Sequence, residues 1–383
     1  MALALVPGCS SNDGGDAETA DPATTTTTAA LPISTFEPIT GGTDEDGDPL
    51  PPPVHATVSV VVRGATTWAP YAGPDLTGLD VEATAAVAMR IRQVDEVLNN
   101  VGVDASFELT YGNAAALCSE HPDLFGELDL HGHEIAAHAR TKGEVFRVVR
   151  AFAPCGIEPV TTSGLAGMAD PVGAEATTLE SLNSAMAVLS IQDLHTIVGP
   201  VRDLCESLGL WAPTNSYGTG ADTAPWRSMW REGEPCTDGP GRPIVLIDQL
   251  VVGPDEGEER LDVDAFSNAS TRLDQALGWA ADHRYRTPEE LPAPGMFTWG
   301  MTMRLDDLIA PIPDPDAETD EDASSETTVT TEAVVPPDPR TAPLGEETLV
   351  ALGEWFAAFQ PDVDAGRLVW LTPSATAAIL RGT

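Results

Sequence analysis

A (β/α) barrel is the fold class this 383-residue sequence predicts, and three observations carry it. Continuously apolar, β-branched runs such as Val54–Val62 (VHATVSVVV) read as strands buried on both faces. They alternate with segments of helical apolar spacing, which implies crossovers between parallel strands. The alternation recurs often enough to favour a barrel over an open sheet.

The elements follow in order. After the Val54–Val62 strand, Val87, Ile91, Val94 and Leu98 form one stripe of a helix over Glu82–Leu98. Val103–Thr110 is a second strand, His133–Ala137 a third and Gly156–Thr162 a fourth, with helical stretches around Ala114–Leu117 and Glu144–Phe152. Glu175–Trp230 reads only as mixed helix and loop. The rhythm then returns with a strand at Ile244–Val252 and a helix at Val263–Ala281, striped by Phe266, Leu273 and Leu277. A strand at Met296–Arg304, a helix at Glu346–Phe359 and a closing strand at Arg367–Leu371 complete the domain. Residues 54–383 therefore form the barrel. Asp314–Arg340, acidic and rich in Ser, Thr and Pro, interrupts it as a disordered insertion.

Composition bounds the function. A hydrophobic share of 42% supplies a substantial core, but 19 basic against 60 acidic residues leave a net charge of −41. A field of that sign repels phosphate backbones and anionic headgroups, so no nucleic-acid partner is expected.

The start of the chain, MALALVPGCS, is a short apolar run ending in Val-Pro-Gly-Cys. It resembles part of a bacterial lipoprotein signal (residues 1–9), and that resemblance places the lipid on Cys9. Pro7 and the lack of a basic segment depart from the pattern. Residues 10–53 are rich in Gly, Asp, Ser, Thr and Pro, and read as a disordered acidic tether. The expectation is export to the bacterial cell envelope, with the membrane reached through the lipid alone. Setting Cys9 aside leaves Cys118, Cys155, Cys205 and Cys236, an even number suited to two disulfides. Neighbour pairing, Cys118 with Cys155 and Cys205 with Cys236, is the expectation among three connectivities.

The stretch from Val94 to His138 carries a resemblance. Leu98–Phe107 (LNNVGVDASF) and Gly132–His138 (GHEIAAH) are similar to the second-strand and third-strand motifs of the polysaccharide deacetylase family, and Arg367–Pro373 (RLVWLTP) resembles its last strand. The resemblance implies a distorted (β/α) barrel with its reaction at the C-terminal strand ends. It also implies hydrolysis of acetyl groups on a glycan, with a divalent metal such as zinc activating water and an aspartate as base. Carried over by position, most of that site is missing. The aspartate pair aligns near Arg63 and Gly64, and the first metal histidine is His138. The second histidine falls on Lys142, whose ammonium cannot ligate a metal. The late histidine has no counterpart among Thr302, Met303, Arg304, Asp306 and Asp307.

Other candidates compete with plainer roles. His131, His133 and His138 look like a metal cluster, but strand alternation puts His133 and His138 on opposite faces. His133, inside the GHE motif, is expected to be structural, as are His55 and His195. Trp226 and Trp230, interleaved with Arg227 and Arg231, could stack on sugar rings near Trp211, Tyr217 and Trp299. Equally, indoles four apart would share a helix face and pack on the barrel. Asp306 and Asp307 could form an acid pair or cap a helix. Ser163-Gly164 reads as a turn, since the G-x-S-x-G spacing is absent.

The favoured reading is a divergent, non-catalytic surface lipoprotein that binds glycan or is structural, with cell-envelope polysaccharide as partner. The alternative is an active metal-dependent deacetylase with a rearranged site, using Asp75 or Asp170. A periplasmic small-molecule binding protein is a third reading.

Overall fold

The computed structural model describes residues 46–47, 50–63, 81–165, 179–200, 227–230, 244–253, 265–282, 297–309 and 341–381. The expected insertion and most of the expected tether lie outside these, as do Cys9, Cys205, Cys236, Trp226, Trp211, Tyr217, Asp75 and Asp170; at the end of the tether range Pro52 and Pro53 are buried, so the packed part begins slightly before Val54.

Among the described residues ten strands share one sheet. They are β1 (Val54–Val62), β2 (Ser106–Leu109), β3 (Glu134–His138), β4 (Thr161–Ser163), β5 (Thr196–Gly199), β6 (Arg227–Trp230), β7 (Ile244–Asp248), β8 (Leu250–Val252), β9 (Phe297–Arg304) and β10 (Leu368–Trp370). The helices are α1 (Val81–Asn100), α2 (Tyr111–Glu120), α3 (Asp123–Leu130), α4 (Lys142–Phe152), α5 (Leu179–Ile191), α6 (Ala265–Asp282), α7 (Glu346–Ala358), α8 (Gln360–Asp364) and α9 (Pro373–Arg381). Strands β1 to β5 pair in parallel in chain order, β7 continues beside β5, and β8 pairs with β9, which returns to β1. Since β7 and β8 are one run broken at Gln249, these eight parallel strands form a nearly closed barrel. Strand β6 is antiparallel to β7, and β10 flanks the start of β1.

The region read as mixed helix and loop contains α5, β5 and β6. Residues 227–230 are a strand because β7 offers them a ladder, so the helical spacing considered for Trp226 and Trp230 does not apply. The side chain of Trp230 lies outside the described structure.

Two motif glycines have a conformational reason. Gly102 (φ 67°) and Gly132 (φ 85°) adopt the left-handed region just past α1 and α3. There Val103 N–H reaches back to Leu98 O at 3.0 Å and His133 N–H to Leu128 O at 3.0 Å. These are glycine helix stops that hand the chain to β2 and β3.

Every residue of β1 is buried, but its two faces differ. Val54, Ala56, Val58, Val60 and Val62 join the apolar core with Val87, Ile91, Val94 and Leu98 of α1. Thr57 and Ser59 face the barrel interior, in register with Gly300 and Thr302 of β9. There the Gln249 amide donates to Thr57 Oγ1 and to Ser59 Oγ, both at 3.0 Å, and Thr302 Oγ1 donates to Gln249 Oε1 at 2.5 Å. The break between β7 and β8 thus turns one side chain inward to tie the closing strands together. Gly300 makes room for it.

Helix α9 meets the inner faces of β5 and β7, where Ala377 and Ile379 pack with Val198, Val245 and Ile247. Glu134, in the GHE motif, accepts from the Ser374 N–H at 3.0 Å in the first turn of that helix. Cys118 of α2 and Cys155 form the expected disulfide, while Cys205 and Cys236 lie outside the described residues.

Two outcomes follow. The bridge closes a loop with a sequence separation of 37, so Cys118→Ser should cost about 2–4 kcal/mol, read as a lower denaturation midpoint. An unchanged midpoint on reduction would show that the bridge contributes nothing. A Cβ on Gly300 would sit 2.5 Å from Thr57 Oγ1 and 2.6 Å from Gln249 Cγ. Gly300→Ala should therefore destabilise by about 1–3 kcal/mol, and pairing it with Gln249→Ala should recover part of the loss.

Candidate functional site

Parallel strands put their C-terminal ends on one rim, and that rim carries the charged side chains. Arg63 follows β1, Arg140 lies two residues past β3, and Arg304 ends β9. His138, the last residue of β3, is 2% exposed and sits among them. Its ring lies over Gly164 (φ 77°), with Cε1 2.6 Å from where a Cβ would stand. Burial, with Arg63, Arg140 and Arg304 adding to it, pushes its pKa down to about 3, so the ring is neutral.

Local sequence holds Arg140 in place. Thr141 caps α4 by accepting from Glu144 N–H at 3.3 Å, and Glu144 Oε2 accepts from Arg140 N–H at 2.7 Å. This is a capping box shifted by one residue, and it pins the backbone that carries the guanidinium. Near Arg63 and Arg304, the short helical turn Leu305–Leu308 brings Asp306 and Asp307. Burial pushes Asp306 up to about 6, and Arg63, Arg90 and Arg304 oppose that rise. The pair therefore belongs to the rim, not to the cap of a long helix.

Behind His138 runs a chain of polar contacts. His138 Nδ1 lies 2.7 Å from Ser163 Oγ, and the hydroxyls of Ser163 and Ser59 approach the fully buried Glu108. Neither oxygen of Glu108 has a well-aligned hydrogen bond. Burial, with Glu134 adding, pushes its pKa up to about 7. When Glu108 is ionised, Ser163 donates to it and accepts from His138 Nδ1–H. That tautomer leaves a lone pair on His138 Nε2, which is buried and has no hydrogen-bond partner. The order carboxylate, serine, histidine is not that of a nucleophilic triad, where histidine must stand between the other two.

Glu108 is the residue sequence reading passed over. The signal was there: a lone glutamate in SFEL, on the strand face opposite Phe107 and Leu109.

The resemblance implies a divalent metal, and the described residues at this rim do not fit one. His138 Nδ1 is engaged with Ser163, and three guanidiniums repel a dication at its other nitrogen. Among the described residues no group of three His, Cys, Asp or Glu side chains is placed to hold a metal.

His133, expected to be structural, is so placed. Ala105 N–H donates to His133 Nδ1 at 3.1 Å, and His133 Nε2 lies 3.0 Å from Asp95 Oδ1. His131 Nδ1 meets the same oxygen at 2.8 Å. This cluster ties α1 to the start of β3, away from His138, as strand alternation anticipates. Trp299 stacks on Trp355 and meets Trp370 edge-on in the core, so it is a packing residue.

The buried carboxyl of Glu108 makes a pH prediction. Its pKa is raised from the ordinary 4.5 to about 7. The folded state then holds a proton that the unfolded chain has released between those values, and stability falls as pH rises through them. The full penalty, present above about pH 7, is about 3 kcal/mol. Glu108→Gln removes it, so the variant should gain on the wild type between pH 5 and pH 8. Parallel stability curves for the two proteins would refute the assignment.

No protein-family model matches the chain, and no curated protein sequence does. Solved structures do. A protein from Mycobacterium smegmatis assigned as a polysaccharide deacetylase is 12% identical, covers 86% of this chain and 92% of its own, and has a TM-score of 0.43. One from Pseudomonas aeruginosa, assigned likewise, is 11% identical with 85% and 90% covered and a TM-score of 0.41. An allantoinase is 10% identical with 86% and 91% covered and a TM-score of 0.44. Likeness at this level does not choose between activities. In architecture, a nearly closed parallel (β/α) barrel, the chain is similar to polysaccharide deacetylases, as the Leu98–Phe107 and Gly132–His138 motifs anticipate.

Proposed function

We propose that this protein is a non-catalytic, glycan-binding barrel, held at the bacterial cell envelope by a lipid on Cys9. One observation carries the reading. Where deacetylase chemistry needs a base and a dication, this rim holds a buried, neutral His138 under the electrostatic influence of Arg63, Arg140 and Arg304. A guanidinium cannot take a proton from water at any workable pH, and it opposes the charge of a metal. The same groups are strong hydrogen-bond donors, suited to hold a polar ligand without reacting with it. The N-terminal MALALVPGCS and the acidic tether support the anchor, and the deacetylase-type barrel supports cell-envelope polysaccharide as partner.

Two measurements test this. The purified protein should bind oligosaccharides of the envelope in calorimetry, yet release no acetate from acetylated ones with or without added zinc. Chelator-sensitive acetate release that disappears in His138→Ala would overturn the proposal and establish a deacetylase. Separately, Cys9→Ser should move the protein from the detergent phase to the aqueous phase in a partition assay. Unaltered partitioning would remove the anchor.

A further inference from the structure

The barrel interior holds a polar cluster of its own. Ser106 and Glu108 of β2, Glu134 of β3 and Thr161 of β4 lie on one face of three adjacent strands. Register sets Ser106 beside Glu134 and Glu108 beside Ala136, and the pairing of Ala137 with Thr162 carries Ala136 next to Thr161. Ser106, Glu108, Ala136 and Thr161 have no exposed surface. Ala136 joins neither apolar cluster, so in that row only a methyl group stands between Glu108 and Thr161.

The oxygens of this cluster are under-used. Ser106 Oγ, both oxygens of Glu108, Glu134 Oε1 and Thr161 Oγ1 are buried without a well-aligned hydrogen bond. The hydroxyls of Ser163 and Ser59 approach Glu108, and that of Thr161 approaches Glu134, while Glu134 acts on Glu108 as a like charge. A donor set made of carboxyls and hydroxyls, without nitrogen or sulfur, suits a hard cation and not a transition metal. Two carboxylates balance a dication, whereas a monovalent ion leaves one of them uncompensated in a dry interior. Calcium accepts an irregular oxygen shell and magnesium does not. The cluster also has a polar approach from solvent. Glu134 begins β3, at the barrel end opposite His138, and Glu134, Thr372 and Ser374 all keep exposed surface there.

We propose that the barrel interior binds a calcium ion between Glu108 and Glu134, with Ser106 Oγ and Thr161 Oγ1 as further ligands. The ion is structural: it balances two buried carboxylates and ties β2, β3 and β4 together. The site is distinct from the rim, and it stands or falls apart from the glycan-binding reading.

Thermal unfolding of the chelator-treated full chain tests this. At about pH 8.5, above the pKa of about 7 of Glu108, melting is compared in calcium chloride and in choline chloride of equal ionic strength. Matching the ionic strength removes the general screening expected of a chain with net charge −41. Calcium should raise the melting temperature by several degrees more than choline, a comparison that needs the wild type alone. Glu108→Gln keeps the side-chain shape without the charge, so the calcium-specific rise should be lost in it. In equilibrium dialysis the wild type should retain one calcium per chain more than the variant. No calcium-specific rise in the wild type would overturn the site. An equal rise in both proteins would place the calcium on the acidic surface, which also sinks it. A rise in sodium chloride as large as that in calcium chloride would refute the dication.

Discussion

A nearly closed barrel buries a polar inner wall, and much of this structure follows from how its hydrogen bonds are met, fully around Gln249 and incompletely around Ser106, Glu108 and Thr161. Thr57, Ser59, Ser106, Glu108, Thr161, Ser163, Thr196 and Thr302 are all fully buried. A donor or acceptor stranded there costs about 1–3 kcal/mol. Register is therefore fixed from the inside as firmly as from the apolar outside, because a slip would face both sets the wrong way. Gln249 shows the constraint most clearly: both amide hydrogens and the carbonyl are used, and the strand breaks to let it reach. The contacts continue through Ser59, Glu108 and Ser163 to His138. His138 is the last member of that network, its Nδ1 held on Ser163 Oγ.

Much of the barrel was legible in the sequence, and the exceptions are instructive. β1, α1, α4, α6, α7, β9 and β10 lie where apolar periodicity puts them, because each presents a face to one large core. The short strands β5 and β6 were lost between stretches of mixed composition. Four residues carry too little periodicity to separate strand from loop. Helix α3 hid because Asp123–Leu130 spans barely two turns. His138 was found through its motif and strand end, and Arg63 was met only as the residue standing where a carboxylate was sought. Glu108 was legible as a lone glutamate in an apolar strand but was passed over, and the shared influence of Arg140 and Arg304 on His138 was not legible. Residues far apart in sequence meet at the rim only once the strands are ordered, and no local pattern records that order.

The pairing of β1 has a consequence for how the chain reaches its fold. Val54–Ala56 lie beside Leu368–Trp370, so the first strand of the barrel meets a neighbour synthesised more than three hundred residues later. Until then its opening residues present an unpaired strand edge, the kind of surface that recruits other chains. The Glu134 contact to Ser374, 240 residues apart in sequence, adds a similar delay to the barrel interior. Contacts of such long sequence separation slow the search for the native state, and a nascent chain must remain unassociated throughout. An abundance of acidic residues, each repelling the next molecule, is a physical means of surviving that interval.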